Sequence, residues 1–164
     1  MSTRLVLYLL ALPLLVLTSC QRTSSRGEAE IREWLDRWAK AFSAHDVNTI
    51  MSLYAPDVVA YDLGPPLQTL GKDTYSKNYK QLLSQYEGPV EVEYRDLHIT
   101  AAEDVGFANG LERFSGTIKG QKSTMWARFT SGFRKTNGVW LDVHDHVSVP
   151  ADFESGKALL DLKP

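Results

Sequence analysis

The 164-residue chain contains one cysteine, Cys20, so no internal disulfide can staple it in any compartment. It also lacks an excess of positive charge. Eighteen Lys and Arg stand against twenty Asp and Glu, a formal net charge of −2 with both signs interspersed. Such a balance does not neutralise a phosphate backbone, so no nucleic-acid partner is expected. Histidine is scarce, with four residues, which limits any imidazole-rich metal site. No internal repeat and no low-complexity tract interrupts the chain.

The one long apolar run lies at the N terminus. "MSTRLVLYLLALPLLVLTSC" offers a cationic Arg4, apolar residues from Leu5 to Leu17, then small residues and Cys20. The run is too short to cross a bilayer comfortably and has the layout of a secretory signal. Leu17-Thr18-Ser19-Cys20 resembles the bacterial lipobox, whose cysteine is lipidated and becomes the first mature residue. An ordinary signal or short anchor that happens to contain a cysteine is the other reading. Residues 1–19 are accordingly read as a lipoprotein signal peptide. Residues 20–28, polar from Gln21 to Glu28, are read as a tether. Residues 29–150 form the domain and 151–164 a C-terminal tail, which packs Leu159 and Leu160 back on the body or else frays. The expected location is the bacterial cell envelope. There the protein is anchored to a membrane through Cys20, facing the periplasm or the exterior.

Periodicity then divides the domain in two. Ile31, Trp34, Leu35, Trp38 and Phe42 recur at three- and four-residue spacing, one apolar stripe on an amphipathic helix that ends near His45. Asp46 can cap a second helix that stops before Pro56. "DVVAYD" alternates as a short strand and runs into a Gly-Pro loop, and a third helix covers "KDTYSKNYKQLLSQYE" up to Gly88-Pro89. From Val90 the period becomes two, with four strands separated by short turns. That pattern makes an antiparallel meander with one face under the helices, an α+β domain.

This order of elements is similar to that of the nuclear-transport-factor-2-like superfamily, which includes ketosteroid isomerases and SnoaL-like cyclases. The similarity rests on "DVVAYDLGPPLQTLGKD" and on "MWARFTSGFRKTNGVWLDVHDHVSVP", and spans about Ala29 to Pro150. It implies a cone-shaped fold, three N-terminal helices packed on a curved antiparallel sheet. It also implies dimerisation through the outer sheet face, so a homodimer is expected. The isomerase chemistry itself is not implied. Ketosteroid isomerases need a tyrosine on the first helix, where this chain has Trp34, Trp38 and Phe42.

Strand alternation sorts the last segment, "WLDVHDHVSVP". Leu141, Val143, Asp145, Val147 and Val149 share the side expected to face inward. Trp140, Asp142, His144, His146 and Ser148 share the other. Asp145 is then a carboxylate among valines, either a candidate general base raised by desolvation or a residue at the cavity mouth paired to an arginine. A two-residue turn at Asn137-Gly138 places Thr130 beside Asp145 and Arg128 beside Val147. A bulged turn places Phe129 beside Asp145 and Arg128 beside His146. His144 and His146 lack a converging third ligand, since His45 and His98 sit elsewhere, so no metal is expected. With Ser148 they read as a hydrogen-bonded outer layer.

Trp38, Tyr54, Tyr61 and Asp62 are candidate ligand contacts around a cone, and Asp62 reads equally as a loop cap. Tyr79 belongs with them, on a stripe with Tyr75 and Tyr86 that serves either packing or a pocket. Trp126, Arg128 and His146 complete the set. Arg113 reads as a cation for an anionic ligand or as a solvated surface residue. No cofactor is expected. The functional expectation is a lipid-anchored domain binding a small, partly apolar ligand. The alternatives are an isomerase, cyclase or dehydratase using Asp145 as general base, and a non-catalytic envelope accessory protein.

Overall fold

The computed structural model describes residues 6–164, with side chains from Ser25 onward. The lipoprotein reading of residues 1–19 and the lipidation of Cys20 therefore lie outside the residues whose side chains are described. Among the described residues, no helix is long and apolar enough to cross a membrane.

Helix α1 (Val6–Ser43) buries Ile31, Trp34, Leu35, Trp38 and Phe42 on one stripe, as their spacing predicts. The stretch 20–28, read as a tether, falls within the span of α1. Ser25 to Glu28 are helical, and Gly27 lies so close to the sheet that an added Cβ would stand 2.8 Å from that of Ala101. Polar composition concealed this, because the contact needs a missing side chain rather than an apolar one. Asp46 caps α2 (Val47–Ser52), accepting from the Thr49 amide at 3.0 Å.

Strands β1 (Tyr54–Tyr61) and β2 (Thr69–Leu70) precede α3 (Lys72–Leu83). Then come β3 (Glu91–Ala102), β4 (Val105–Ile118), β5 (Gln121–Thr136) and β6 (Val139–Ser148). The four long strands form the expected meander. The sheet order is β2-β1-β6-β5-β4-β3, and β1 joins it parallel to β6, with Val59 opposite His144. The result is α+β, with α1, α2 and α3 against one face of a six-stranded, mostly antiparallel sheet. A register shift between Arg95 and His98, with Asp96 at φ 51°, breaks the β3 ladder beside Gly110. A Cβ at Gly110 would stand 3.0 Å from the Arg95 carbonyl, so glycine is what allows this close approach.

The closing hairpin corrects both expected registers. Asn137 (φ 52°) and Gly138 (φ 80°) make the two-residue turn, which sets the pairing as far as Phe133 opposite Asp142. Val143 is then an extra residue, and Gly132 pairs with His144. The bulge resets the alternation. Ser131, not Thr130 or Phe129, lies beside Asp145, and Arg128 pairs with Ser148. Trp140 and Asp142, expected on the outer face, are buried on the core side together with Asp145.

Beyond β6 the tail closes on itself. Ala151 bridges Ala158, and the Leu159 amide donates to the Pro150 carbonyl at 2.8 Å. Leu159 is half-buried and Leu160 is exposed.

Candidate functional site

Between α1, α3 and the concave sheet lies a cavity of about 320 Å³. Its rim is formed by Leu63 to Pro65, by Leu82 at the end of α3 and by Gln85 just beyond it. Trp38, Phe42, Phe114 and Phe129 supply apolar walls, and Asp145 lies at the polar floor.

Asp145 is 6 % exposed and accepts three side-chain hydrogen bonds. Tyr54 donates to Oδ2 at 2.9 Å, Tyr75 to the same atom at 3.0 Å, and Ser131 to Oδ1 at 3.3 Å. The directions are fixed from the carboxylate end, because ionised Asp145 only accepts and Tyr54 therefore spends its single hydrogen there. An indole N–H is a donor only, so Trp38 donates to the Tyr79 hydroxyl at 3.2 Å. Tyr79 can then pass its proton towards Tyr54 at 3.0 Å, and Tyr54 passes its own to Asp145. A chain of donors thus ends on one carboxylate. Burial, and then the charge of Asp145, push the Tyr54, Tyr75 and Tyr79 hydroxyls well above the ordinary phenol range, so they remain donors near neutrality.

Burial raises the Asp145 carboxyl, while the Tyr54, Tyr75 and Ser131 bonds oppose the rise. Asp142 is completely buried without a hydrogen bond of normal geometry, although Ser131 and the His144 amide lie near it. Desolvation and the Asp145 charge push Asp142 well above its usual value. Two carboxyls so close do not both ionise readily, and the one with three donors keeps the charge. Asp142 is therefore the member that holds a proton. Asp62 reaches the Tyr75 hydroxyl at 3.1 Å and is raised to about 6, by burial first and by Asp145 second. Tyr75 has one hydrogen for two carboxylates, so a proton on Asp62 frees Tyr75 to serve Asp145.

The fold brings together Trp38, Tyr54, Asp62, Tyr79 and Asp145, all of which line the cavity. It does not bring Tyr61, Trp126, Arg128 or His146 there. Tyr61 follows the inward Val58 and Ala60 out of phase, and sits on the outer face against the His144 and His146 rings at 5.1 and 5.9 Å. His144 Nδ1–H donates to the Val59 carbonyl at 3.1 Å, a strand-to-strand role. Trp126 and Arg128 alternate with the lining residues Met125 and Phe129, so they face the same outer side. Arg113 is held by Glu91 at 3.1 Å and Glu93 at 2.6 Å, which removes it as a cation for the cavity. Among the described residues, no group of three or more His, Cys, Asp or Glu is placed to hold a metal ion.

Several lining residues were not singled out from the sequence. Ser131 depends on the bulge at Val143. Tyr75 was one of a stripe open to either packing or a pocket. Glu112 had a legible signal: it is in phase with the buried Gly106 and Ala108 on β4. It is 4 % exposed, and its Oε1 has no partner.

A family profile for the SnoaL-like domain matches residues 31–152, and the chain belongs to that family. A nuclear-transport-factor-2-like protein of unknown function from Pseudomonas putida KT2440 is 35% identical. The match covers 87% of this chain and 99% of that one, with a TM-score of 0.80. A nuclear-transport-factor-2-like superfamily protein from Salmonella enterica serovar Typhimurium is 20% identical over 82% of this chain and 99% of its own, TM-score 0.70. A provisionally assigned dehydratase of the same superfamily from Streptomyces avermitilis is 17% identical over 78% and 99%, TM-score 0.70. The last two similarities establish the shared fold. Among curated proteins, no significant match was found.

Proposed function

We propose that the chain is a binding domain whose cone takes up a small, flat, partly apolar molecule. The carrying observation is the cavity itself: about 320 Å³, open at one rim, aromatic on its walls and polar at Asp145. Its lining includes Asp62, Glu112 and Asp145 but no Lys, Arg or His, which disfavours an anionic ligand. The test is ligand-observed NMR with a fragment set of flat apolar compounds, on the protein and on Val147→Phe, which fills part of the cavity. Binders should appear with the parent and vanish with the variant. A set without binders, or binders indifferent to the filled cone, would sink the reading.

A second reading, proton abstraction by Asp145, is supported by the three donors that orient it and by the burial that raises its carboxyl against those donors. Asp145→Asn should then abolish turnover of a bound substrate while leaving its affinity within the same order.

The same proposal attaches the domain to a bacterial envelope membrane by a lipid on Cys20, supported by Leu17-Thr18-Ser19-Cys20. It also pairs two copies through the outer sheet face that carries Trp126, Arg128, His144 and His146. Palmitate labelling retained in Cys20→Ala would count against the anchor, and a monomer mass by light scattering against the pair.

A further inference from the structure

One cavity group takes no part in the hydrogen bonds that converge on Asp145. Glu112 lies midway along β4, directly opposite Tyr94 on β3 and Ala127 on β5. Neither neighbour supplies a positive charge. The side chain is 4 % exposed, it lines the cavity, and its Oε1 has no hydrogen-bond partner. Leaving a buried carboxyl oxygen unpartnered is unfavourable. Because this one borders an open cavity, the missing partner is a group that a ligand can bring.

The chemistry of the walls narrows what that group is. Asp62, Glu112 and Asp145 line the cavity without any Lys, Arg or His. The rings of Trp38, Phe42, Tyr79, Tyr94, Phe114 and Phe129 surround them. An anion would meet three acids and no cation. A neutral alcohol satisfies Glu112 but gains nothing from the negative faces of the rings. A protonated amine gains from both, by a charge-assisted hydrogen bond and by cation–π attraction. Asp145 is the poorer anchor, since three donors already occupy it.

We propose that Glu112 anchors the ligand of the cone, and that this ligand is a small aromatic or alicyclic amine bound as its ammonium ion. The proposal rests on the cone being a ligand site. In the empty cavity, burial, the Asp145 charge and then the Asp62 charge keep the Glu112 carboxyl well above its ordinary range, which favours its protonated form. The ammonium ion converts it to a carboxylate, and the Glu112 proton leaves to solvent. The other titratable groups of the lining are Tyr94 from β3, Asp145 from β6, Asp62 after β1, Tyr54 from β1, Tyr75 and Tyr79 from α3, and Tyr86 beyond it. From α1 and β5 the lining residues are Trp34, Leu35, Trp38, Phe42, Met125, Phe129 and Ser131, none of which ionises.

The test is isothermal titration calorimetry of the protein with 2-naphthylmethylamine, 2-naphthylmethanol and 2-naphthoate near neutral pH. Two buffers of different ionisation enthalpy count the protons exchanged. The amine should bind about tenfold or more tighter than the alcohol, the naphthoate should not bind, and about one proton should leave per amine bound. Glu112→Gln should weaken the amine by about tenfold, abolish the proton release and leave the alcohol nearly unchanged. Asp62→Asn should retain the release. An alcohol that matches the amine, a naphthoate that outbinds it, or an amine indifferent to Glu112→Gln overturns the cation assignment while the cone remains a binding site. If none of the three binds, both readings fall. Should Glu112→Gln not fold, the parent's ranking of the three probes and its proton count decide the matter.

Discussion

Replacing Glu112 by methionine should make the protein more stable. The two side chains are of similar length and volume, so the packing against Tyr94 and Ala127 changes little. What disappears is a buried carboxyl with an unpartnered Oε1. An unsatisfied buried polar group costs about 1–3 kcal/mol, and its replacement by apolar atoms returns that amount. For a chain of this size each kcal/mol moves Tm by about 2–4 °C, so the midpoint should rise on the order of 5 °C. The gain also has a pH signature. Glu112 is an acid whose folded pKa lies above its unfolded value of 4.5, so it costs stability above 4.5 and that cost vanishes below it. The difference between variant and parent should therefore grow as pH rises from about 4.5, and flatten beneath it. Calorimetric or circular-dichroism melts at several pH values measure this directly. A methionine variant less stable than the parent at neutral pH would refute the reasoning, and so would a difference independent of pH. A residue retained against its own stability cost is what a binding role predicts.

Other perturbations follow from the same geometry. Tyr54→Phe removes a donor from Asp145 and an acceptor from Tyr79, so it should destabilise the fold by about 1–2 kcal/mol and push the Asp145 carboxyl higher still. Carbon-detected NMR titration of that carboxyl reads the effect, and an unchanged titration would contradict it. Asp62, raised from 3.8 to about 6, costs stability above 6. The urea midpoint should gain from Asp62 as pH falls from 6 towards 4, and Asp62→Asn should remove that gain. Gly27→Leu forces atoms into Ala101 and Trp140, and should lower stability by about 1–3 kcal/mol in a chemical melt. Trp126→Ala and Arg128→Ala, on the outer sheet face, should leave small-molecule binding in the cone unaltered.

Local and periodic information carried the fold a long way. The stripe from Ile31 to Phe42, the Asp46 cap and the change from period 3.6 to period two at Val90 all act within a few residues, so they are readable in order along the chain. The burial of Asp145 was legible too, because alternation beside valines places it on the inner face. The partners of Asp145 were not. Tyr54, Tyr75 and Ser131 come from β1, α3 and β5, and no local rule ties three distant segments to one oxygen pair.

The side of the sheet was where sequence reasoning failed, for Asp142, Trp140, Trp126 and Arg128. Side-chain parity has a period of two, so one unpaired residue reverses every assignment on one side of it. Val143 is that residue, and its extrusion is settled by how β5 and β6 fit around the core, not by the turn that joins them. The chain by itself determined which segments are helix or strand, and that an acid lies among apolar neighbours. Only tertiary packing decided which carboxyl received donors and which, at Glu112, was left bare, because hydrogen-bond satisfaction depends on groups far apart in sequence and close in space.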